Sequence, residues 1–441
     1  MPMEERKVFW RLAWPAAAEG LLLMMLSAVD LLMVSSLGTI AVAAVSIFSQ
    51  PRMVILCFSR AFAVAVTAYV ARRSGESKGE SFSRFTKQTL TIALVGGGIL
   101  LFCTILLSKS ILLFAGADLT YLDSAMAYAR PAFFALFFSA PAIALHGVLA
   151  GLGDTKSVLK ANVLGNIINV LCNAVFIYGI GPAPRLGVFG AGLGTLFGAV
   201  AALGYTLLIL LPQKHPASLL KKSGWKLDRR YLSQIMPLYG GVFTEQAVER
   251  FGMFAYTRIV AGLGASSLGI HNICMGLCDI YYSFAQGMGK AGLIQCGNDI
   301  GATGGKKLKK ICQVVKRESL LTASIACVLC IVLRVPLLSL YALEGQELLL
   351  ASGIMLFIAF VSFPESYSMT HAGILRGLGH TGYVAIYSLV SIAILRPLIT
   401  YLLVVLLEMQ LYGAWTALLL DQTFRAIFAV AGAWRMRKKY N

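Results

Sequence analysis

Residues 147–155 read GVLAGLGDT and residues 373–381 read GILRGLGHT, one nine-residue phrase written twice, 226 positions apart. The same offset carries Gly75 onto Gly301 and the dipeptide Leu37-Gly38 onto Leu263-Gly264. Three landmarks at a single offset make the chain a tandem repeat of one plan. What fills the repeat is apolar. Of 441 residues 58% are hydrophobic and only 13% charged, with a mean hydropathy of +0.76, against about 45–50% and about 25% in soluble domains. At about 20 apolar residues per membrane crossing, there is room for about a dozen helices. The same hydrophobicity excludes disorder.

Apolar runs between charge clusters predict twelve helix cores, over 12–36, 45–70, 90–108, 126–149, 160–180, 188–211, 233–262, 268–296, 318–340, 348–374, 383–406 and 411–433. The landmarks recur after six of them, an even number. Both halves therefore point the same way through the bilayer and are related by an axis along its normal. The predicted fold is an all-α membrane protein, with twelve transmembrane helices in two pseudo-twofold-related six-helix lobes around a central cavity. The lobes are 1–212 and 231–441. Residues 213–230 join them as a basic, Pro-punctuated linker that reads as a solvated charge run at the membrane surface. Two equal lobes across a cavity is an alternating-access transporter layout, and a channel needs no such build.

The net charge of +18 comes from 38 Lys and Arg residues, and their placement gives it meaning. One side of the predicted topology holds Arg6, Lys7 and Arg11; Arg72, Arg73, Lys78, Arg84 and Lys87; Lys156 and Lys160; the basic residues of 213–230 and of 297–318; Arg376; and Arg435, Arg437, Lys438 and Lys439. The other side holds only Lys109, Arg185 and Arg334. By the positive-inside rule both termini are cytoplasmic. The charge is thus a topology and anionic-lipid signal, and no nucleic-acid partner is expected. The N-terminal MPMEERKVFWRLAW runs on as a full span past Asp30, so it reads as a helix rather than a cleavable leader. Cys327 and Cys330 have redox-motif spacing inside SIACVLCIVL, where thiols act as small hydrophobes. No Gly-x-Ser-x-Gly, His-Glu-x-x-His or phosphate-binding Gly-x4-Gly-Lys-Ser/Thr occurs, so neither an enzyme nor an ATP-driven engine is expected.

A charge in hydrocarbon costs at least about 2.5–3.5 kcal/mol at a helix centre, which makes each one a candidate site. Asp30 lies in the first span, about 12 Å from its outer end at 1.5 Å per residue, with no partner within one turn. Glu245 and Glu249 are one turn apart on one face of the seventh span. Glu365 follows Pro364 in the tenth. Asp279 and Lys290 in the eighth are eleven apart and share a face. Arg52, Arg60, Arg250 and Arg258 complete the set, and some of these must pair with Glu245, Glu249 or Asp279 while others snorkel. Glu19, near the inner end of the first span, reads as an interfacial partner.

The stretch LAWPAAAEGLLLMMLSAVDLLMVSSLGTIAVAAVSI, then HGVLAGLGDTKSVLKANVLGNIINVLCNAVFIYG, GILRGLGHT and GAWTALLLDQTFRAIFAV resemble, in order and spacing, the multidrug and toxic compound extrusion (MATE) transporters, NorM-like branch. The resemblance covers essentially the whole chain. It implies export of organic cations, drugs and toxins, driven by inward Na⁺ or H⁺. Flippases for lipid-linked precursors share the fold and are the alternative; their additional terminal helices are not expected from the twelve runs read here.

The resemblance also implies roles. Asp30 matches the family aspartate by its spacing from Pro15. The family glutamate aligns to Glu245 counted from Pro237, and to Glu249 counted back from Gly264, because the span has about one extra turn. Glu365 stands where the Na⁺-coupled branch has an aspartate. Asn173 replaces the fifth-span aspartate of archaeal members, so no proton is released there, while Asn169 and Asn173 can offer hydrogen bonds or a carbonyl ligand for Na⁺. His271 beside Asn272 resembles a family position near an outer helix end and reads as structural. A hard cation wants several oxygen ligands, and two carboxylates suppress each other's ionisation unless a cation lies between them. Glu245 and Glu365 are therefore expected to hold Na⁺ or share a proton, with Asp30 linking release to lobe closure. Substrates are expected to be small, amphipathic and mostly cationic; Arg60 and Lys290, if they point inward, extend this to zwitterions or anions. No cofactor beyond the coupling ion is expected, and the protein is expected to be a monomer in the plasma (inner) membrane.

Overall fold

The computed structural model describes residues 3–76, 82–181, 184–341 and 343–439; Lys78 lies outside them. Among the described residues fourteen α-helices follow one another: α1 (Met3–Ser35), α2 (Thr39–Glu76), α3 (Ser83–Leu106), α4 (Ser108–Phe114), α5 (Leu122–Gly151), α6 (Thr155–Tyr178), α7 (Gly187–Leu210), α8 (Arg229–Ala261), α9 (Ala265–Thr303), α10 (Leu308–Ser339), α11 (Gly345–Gly377), α12 (Thr381–Ser388), α13 (Arg396–Tyr401) and α14 (Gln410–Lys438). Only Leu107 separates α3 from α4. Two π-helical stretches, Leu389–Leu395 and Leu402–Leu406, merge α12 and α13 into one rod, Thr381–Leu406. Pro397 in that rod has no N–H to bond the carbonyl one turn back, and the helix takes the wider register ahead of it.

Each expected core lies on one of these rods to within a residue or two at its ends, except 90–108, which runs past the end of α3 at Leu106 to the first residue of α4. The rods outrun the cores at their Lys/Arg-rich ends: the core at 318–340 becomes Leu308–Ser339 and that at 268–296 becomes Ala265–Thr303. Lys, Arg and Gln sustain a helix well beyond the hydrocarbon. Among the described residues, nine helices are long and apolar enough to cross a membrane. The long rods α8, α9 and α14 fall short because they carry the charges: Glu245, Glu249 and Arg250; Asp279 and Lys290; Asp421 and Arg425.

The repeat is visible in the backbone. Gly38 and Gly264 have φ of 101° and 100°, and Gly153 and Gly379 have 86° and 85°. These left-handed values suit glycine alone. At the first GLG turn Asp154 caps α6, its Oδ1 accepting the Ser157 N–H at 3.0 Å; His380 holds the equivalent place without a side-chain cap. Packing repeats too. A Cβ on Gly147 would lie 2.6 Å from the Ala63 carbonyl and one on Gly151 3.0 Å from that of Thr67; Gly373 and Gly377 meet Gly289 and Leu293 in the same way. Both sides of each crossing obey the 226-residue offset.

The chain forms two compact units. The unit Glu19–Val70 with Ser77–Tyr239 contains two apolar cores, one around Phe62, Val66, Leu145, Leu149 and Tyr231, the other around Val34, Phe48, Tyr128 and Phe133. Most residues of its linker are exposed, and the linker backbone is tied to the start of α3. The buried Lys87 donates from Nζ to the carbonyls of Lys221 at 2.8 Å and Ser223 at 2.9 Å, Gln88 donates to that of Lys226 at 2.9 Å, and Arg84 pairs with Asp228 at 3.2 Å. An irregular backbone leaves carbonyls without partners, and the start of α3 supplies donors for them.

The second unit comprises Met1–Ala18, Ala71–Glu76 and Gly240–Asn441, with Tyr256, Cys274, Ile354 and Trp415 in its core. The start of α1 is anchored by the buried Glu318, which lies 2.7 Å from Arg6 Nε and accepts the Trp10 indole N–H at 3.0 Å. The end of α2 crosses the end of α9 at Gly75 and Gly301. A Cβ on either glycine would press into the other helix's backbone, at Asn298 and Arg72 respectively. Gly301→Val should therefore lower stability by about 1–3 kcal/mol through overpacking. The check is thermal unfolding in detergent; an unchanged midpoint would show that the crossing tolerates separation. All nine cysteines are free thiols, Cys327 and Cys330 half-buried.

Candidate functional site

Asp30 finds its partner on a different helix. Half-buried on α1, its Oδ1 accepts from Asn173 Nδ2 of α6 at 2.9 Å, and the charge of Arg52 acts on it. Asn173 is 1% exposed and Asn169 5%, and among the described residues neither amide oxygen has a hydrogen-bond partner. Helix α7 approaches closely enough to bury both because it presents glycine: a Cβ on Gly198 would sit 2.8 Å from Asn169 Cβ. Deeper along α1, Glu19 Oε1 accepts from Asn162 Nδ2 at 2.6 Å.

The acidic residues of the second half separate into two places. Glu245, 3% exposed, is gripped by Arg376, with Nη2 2.5 Å from Oε1 and Nε 3.2 Å from Oε2. Such a two-pronged guanidinium–carboxylate bond is the strong form of an ion pair. Glu365, also 3% exposed, keeps an Oε2 with no hydrogen-bond partner among the described residues and lies in the fields of Asp279, Arg425, Arg396 and Glu249. Arg376 comes eleven residues after Glu365, about 16 Å along α11 at 1.5 Å per residue. The structure therefore does not bring Glu245 and Glu365 together as one ion site. Among the described residues, no group of three or more His, Cys, Asp or Glu is placed to hold a metal ion.

Glu249 does not neutralise Arg250 or Arg258 by contact. Its Oε1 accepts from the Tyr282 hydroxyl at 2.8 Å, and Arg425 lies in its field. Asp279 is exposed in the middle of α9, with Arg250 and Glu249 acting on it. A carboxylate exposed at that depth needs water rather than lipid against it. Arg60 is exposed, Lys290 half-buried, and each has interaction partners. His271 is 1% exposed between the rings of Tyr256 and Trp415, at 5.4 and 5.7 Å, as a structural group would be.

Sequence reasoning missed a second buried pair. Arg396 and Asp421 have side chains 4% and 0% exposed. Arg396 Nε lies 2.9 Å from Asp421 Oδ2, the guanidinium Nη2 bonds the same oxygen, and the Ser391 hydroxyl donates to Oδ1. One turn on, Arg425 is 3% exposed, with an unpartnered Nε. The available signal was an Arg and an Asp inside apolar runs, opposite in sign and on different helices.

Comparison with known proteins matches this architecture. The chain is 24% identical over 427 residues to the multidrug resistance protein MdtK of Edwardsiella ictaluri, covering 93% of this chain and 91% of that protein. It is 26% identical over 372 residues to the probable multidrug resistance protein NorM of Rhizobium meliloti, covering 82% and 79%. The outward-facing structure of a multidrug resistance MATE family transporter of the MOP superfamily superposes with a TM-score of 0.91, at 18% identity over 99% of this chain and 96% of that one. This likeness shows the twelve-span, two-lobe fold. The family model MatE matches twice, over residues 15–175 and 242–402, one match on each copy of the repeat. The chain thus belongs to the MatE family, the multidrug and toxic compound extrusion group with its NorM-like members, and is a membrane transporter rather than an enzyme.

Proposed function

We propose that the protein is a secondary active multidrug exporter, antiporting small amphipathic and mostly cationic compounds against inward Na⁺ or H⁺ by alternating access. One observation supports the coupling: a buried carboxylate in a spanning helix, Glu365, with an oxygen that has no hydrogen-bond partner among the described residues. Such an oxygen calls for a proton or a cation. Asp30, held by a neutral amide, is the corresponding group of the first half. Filling and emptying these sites biases inward- against outward-open states. The exposed Asp279 favours cationic substrates, and the names of the relatives support multidrug export. The only coupling agent is the ion, and the working unit is a monomer in the plasma membrane with both termini cytoplasmic.

The direct test is uptake of a fluorescent organic cation into inverted vesicles under separately imposed Na⁺ and H⁺ gradients. Uptake driven by one of them is expected. Flux of lipid-linked substrates only, or ungated leak, would replace this reading with a flippase or a channel. Orientation is tested at Gly224 in the linker, where a Cβ meets open space. Gly224→Cys, made with the exposed Cys103 replaced by Ala, should react with an impermeant thiol reagent in inverted vesicles but not in intact cells. Labelling of intact cells would reverse the topology.

A further inference from the structure

In the second unit, α8, α11, the Thr381–Leu406 rod and α14 carry four buried or half-buried carboxylates, Glu245, Glu249, Glu365 and Asp421. Against them stand three arginines, Arg376, Arg396 and Arg425, with Arg437 at the far end of α14 set aside. Two of the three are committed. Arg376 holds Glu245 through two N–H donors. Arg396 holds Asp421 Oδ2, and the Ser391 hydroxyl takes Oδ1. Asp421, one turn before Arg425, acts on it as well, but both its oxygens are occupied. One guanidinium, that of Arg425, is left for two carboxylates, Glu249 and Glu365.

Position points the same way. Helices α11 and α14 meet where Ser368 Oγ donates to Gln422 Oε1 at 3.4 Å. Glu365 stands one turn before that contact and Arg425 one turn after it, and a helical side chain leans toward the N-terminus of its own helix, here back toward Glu365. On the other side Glu249 accepts from the Tyr282 hydroxyl at 2.8 Å. Glu249 and Tyr282 act on Arg425, and Arg425 acts on Glu365. Yet among the described residues Arg425 Nε and Glu365 Oε2 have no hydrogen-bond partner. The remaining neighbours leave this balance alone: Tyr387 beside Arg425 is a hydroxyl, Asp279 on α9 is exposed and in the field of Arg250, and Lys290 has partners of its own.

An ionised carboxylate left unanswered in that interior is costly, so the set needs one mobile cation, and Arg425 decides where it goes. Glu365, 3% exposed, suits a proton or a bare ion. Glu249 is half-buried and its charge reaches the exposed Asp279, the side from which a larger cation can approach. We propose that Arg425 is the exchange element of the transporter, shared between Glu249 and Glu365. With Na⁺ or a proton on Glu365, the guanidinium answers Glu249 and closes it to substrate. When the ion leaves, the guanidinium moves to Glu365, and Glu249 takes the organic cation. One arginine serving two acids makes ion and substrate mutually exclusive, which is the condition for antiport. This rests on Glu365 being a coupling residue.

The test measures ethidium binding to the purified full-length protein in detergent, with Na⁺ varied at fixed pH and pH varied without Na⁺. In the wild type, saturating coupling ion should weaken ethidium binding about tenfold or more. In Arg425→Gln both carboxylates can be filled at once, and the ion should change ethidium affinity by less than about twofold. An arginine that only braces the helices would lower the thermal midpoint and keep the exclusion. Arg425→Lys, which keeps the charge, should retain most of it. Glu249→Gln leaves three carboxylates for three arginines, so it should fold and lose ethidium affinity about tenfold or more. A tenfold ion effect persisting in Arg425→Gln, or wild-type ethidium binding by Glu249→Gln, would overturn the shared arginine. A wild-type ion effect in Glu365→Gln would overturn the coupling reading beneath it.

Discussion

Asp30→Asn should abolish gradient-driven accumulation while leaving folded protein in the membrane. An asparagine at position 30 still offers an oxygen to Asn173 Nδ2, now 2.9 Å from the carboxylate, so the α1–α6 contact survives and only the charge is lost. One charge moved per cycle is worth about 2.3 kcal/mol per 100 mV, and 1.4 kcal/mol is about tenfold. Losing it lowers the attainable accumulation ratio about fifty-fold at 100 mV. Glu365→Gln should do the same in the second half, where its unpartnered Oε2 has only a proton or cation to satisfy it. Steady-state accumulation in vesicles reads both. Wild-type accumulation by the two variants under both gradients would place coupling elsewhere. Glu245→Gln is expected to act differently, because its carboxylate already has a fixed cation in Arg376; its loss strands a guanidinium and weakens the fold.

The second large effect is on stability. Arg396→Met should cost about 3–5 kcal/mol, because it leaves Asp421 charged with its side chain 0% exposed. Ser391 would remain as a donor to Asp421, but a hydroxyl does not replace a guanidinium. The double variant Arg396→Met with Asp421→Leu removes both charges together and should recover most of the loss, since well-packed apolar side chains often match a buried ion pair. Thermal unfolding in detergent separates the cases. If the double variant is as unstable as the single one, the pair does more than neutralise itself.

The helices and their repeat were legible because burial in lipid imposes one rule on every span, and the rule acts residue by residue. Asp30, Glu245 and Glu365 were legible as charges for the same reason. Their partners were not. Arg376 and Glu245 are separated by 131 residues and Asp30 and Asn173 by 143, and helix rotation, which decides who meets whom, is set by packing rather than periodicity. The expectation that Glu245 and Glu365 share an ion was drawn without sight of Arg376, which holds Glu245. Charge alone cannot separate an acid already answered by an arginine from one still waiting. The linker shows the same limit, since composition showed a basic run but not the buried Lys87 holding its carbonyls.

The concentration of charge in α8, α9 and α14 constrains how the chain is made. On the insertion scale each ionised residue near a helix centre opposes entry into the bilayer by about 2.5–3.5 kcal/mol. Helices α8 and α9, with Glu245, Glu249 and Asp279, emerge from the ribosome before Arg376 on α11 and Arg425 on α14 exist to answer them. Arg396 likewise precedes Asp421. The first half poses the same problem at Asp30, whose partner Asn173 follows 143 residues later, and the second half poses it more often, with its last charged partners on its last helix. Truncating the chain before α14 removes Asp421 and leaves Arg396 with no carboxylate to meet, so such fragments are substrates for membrane quality control rather than half-built transporters.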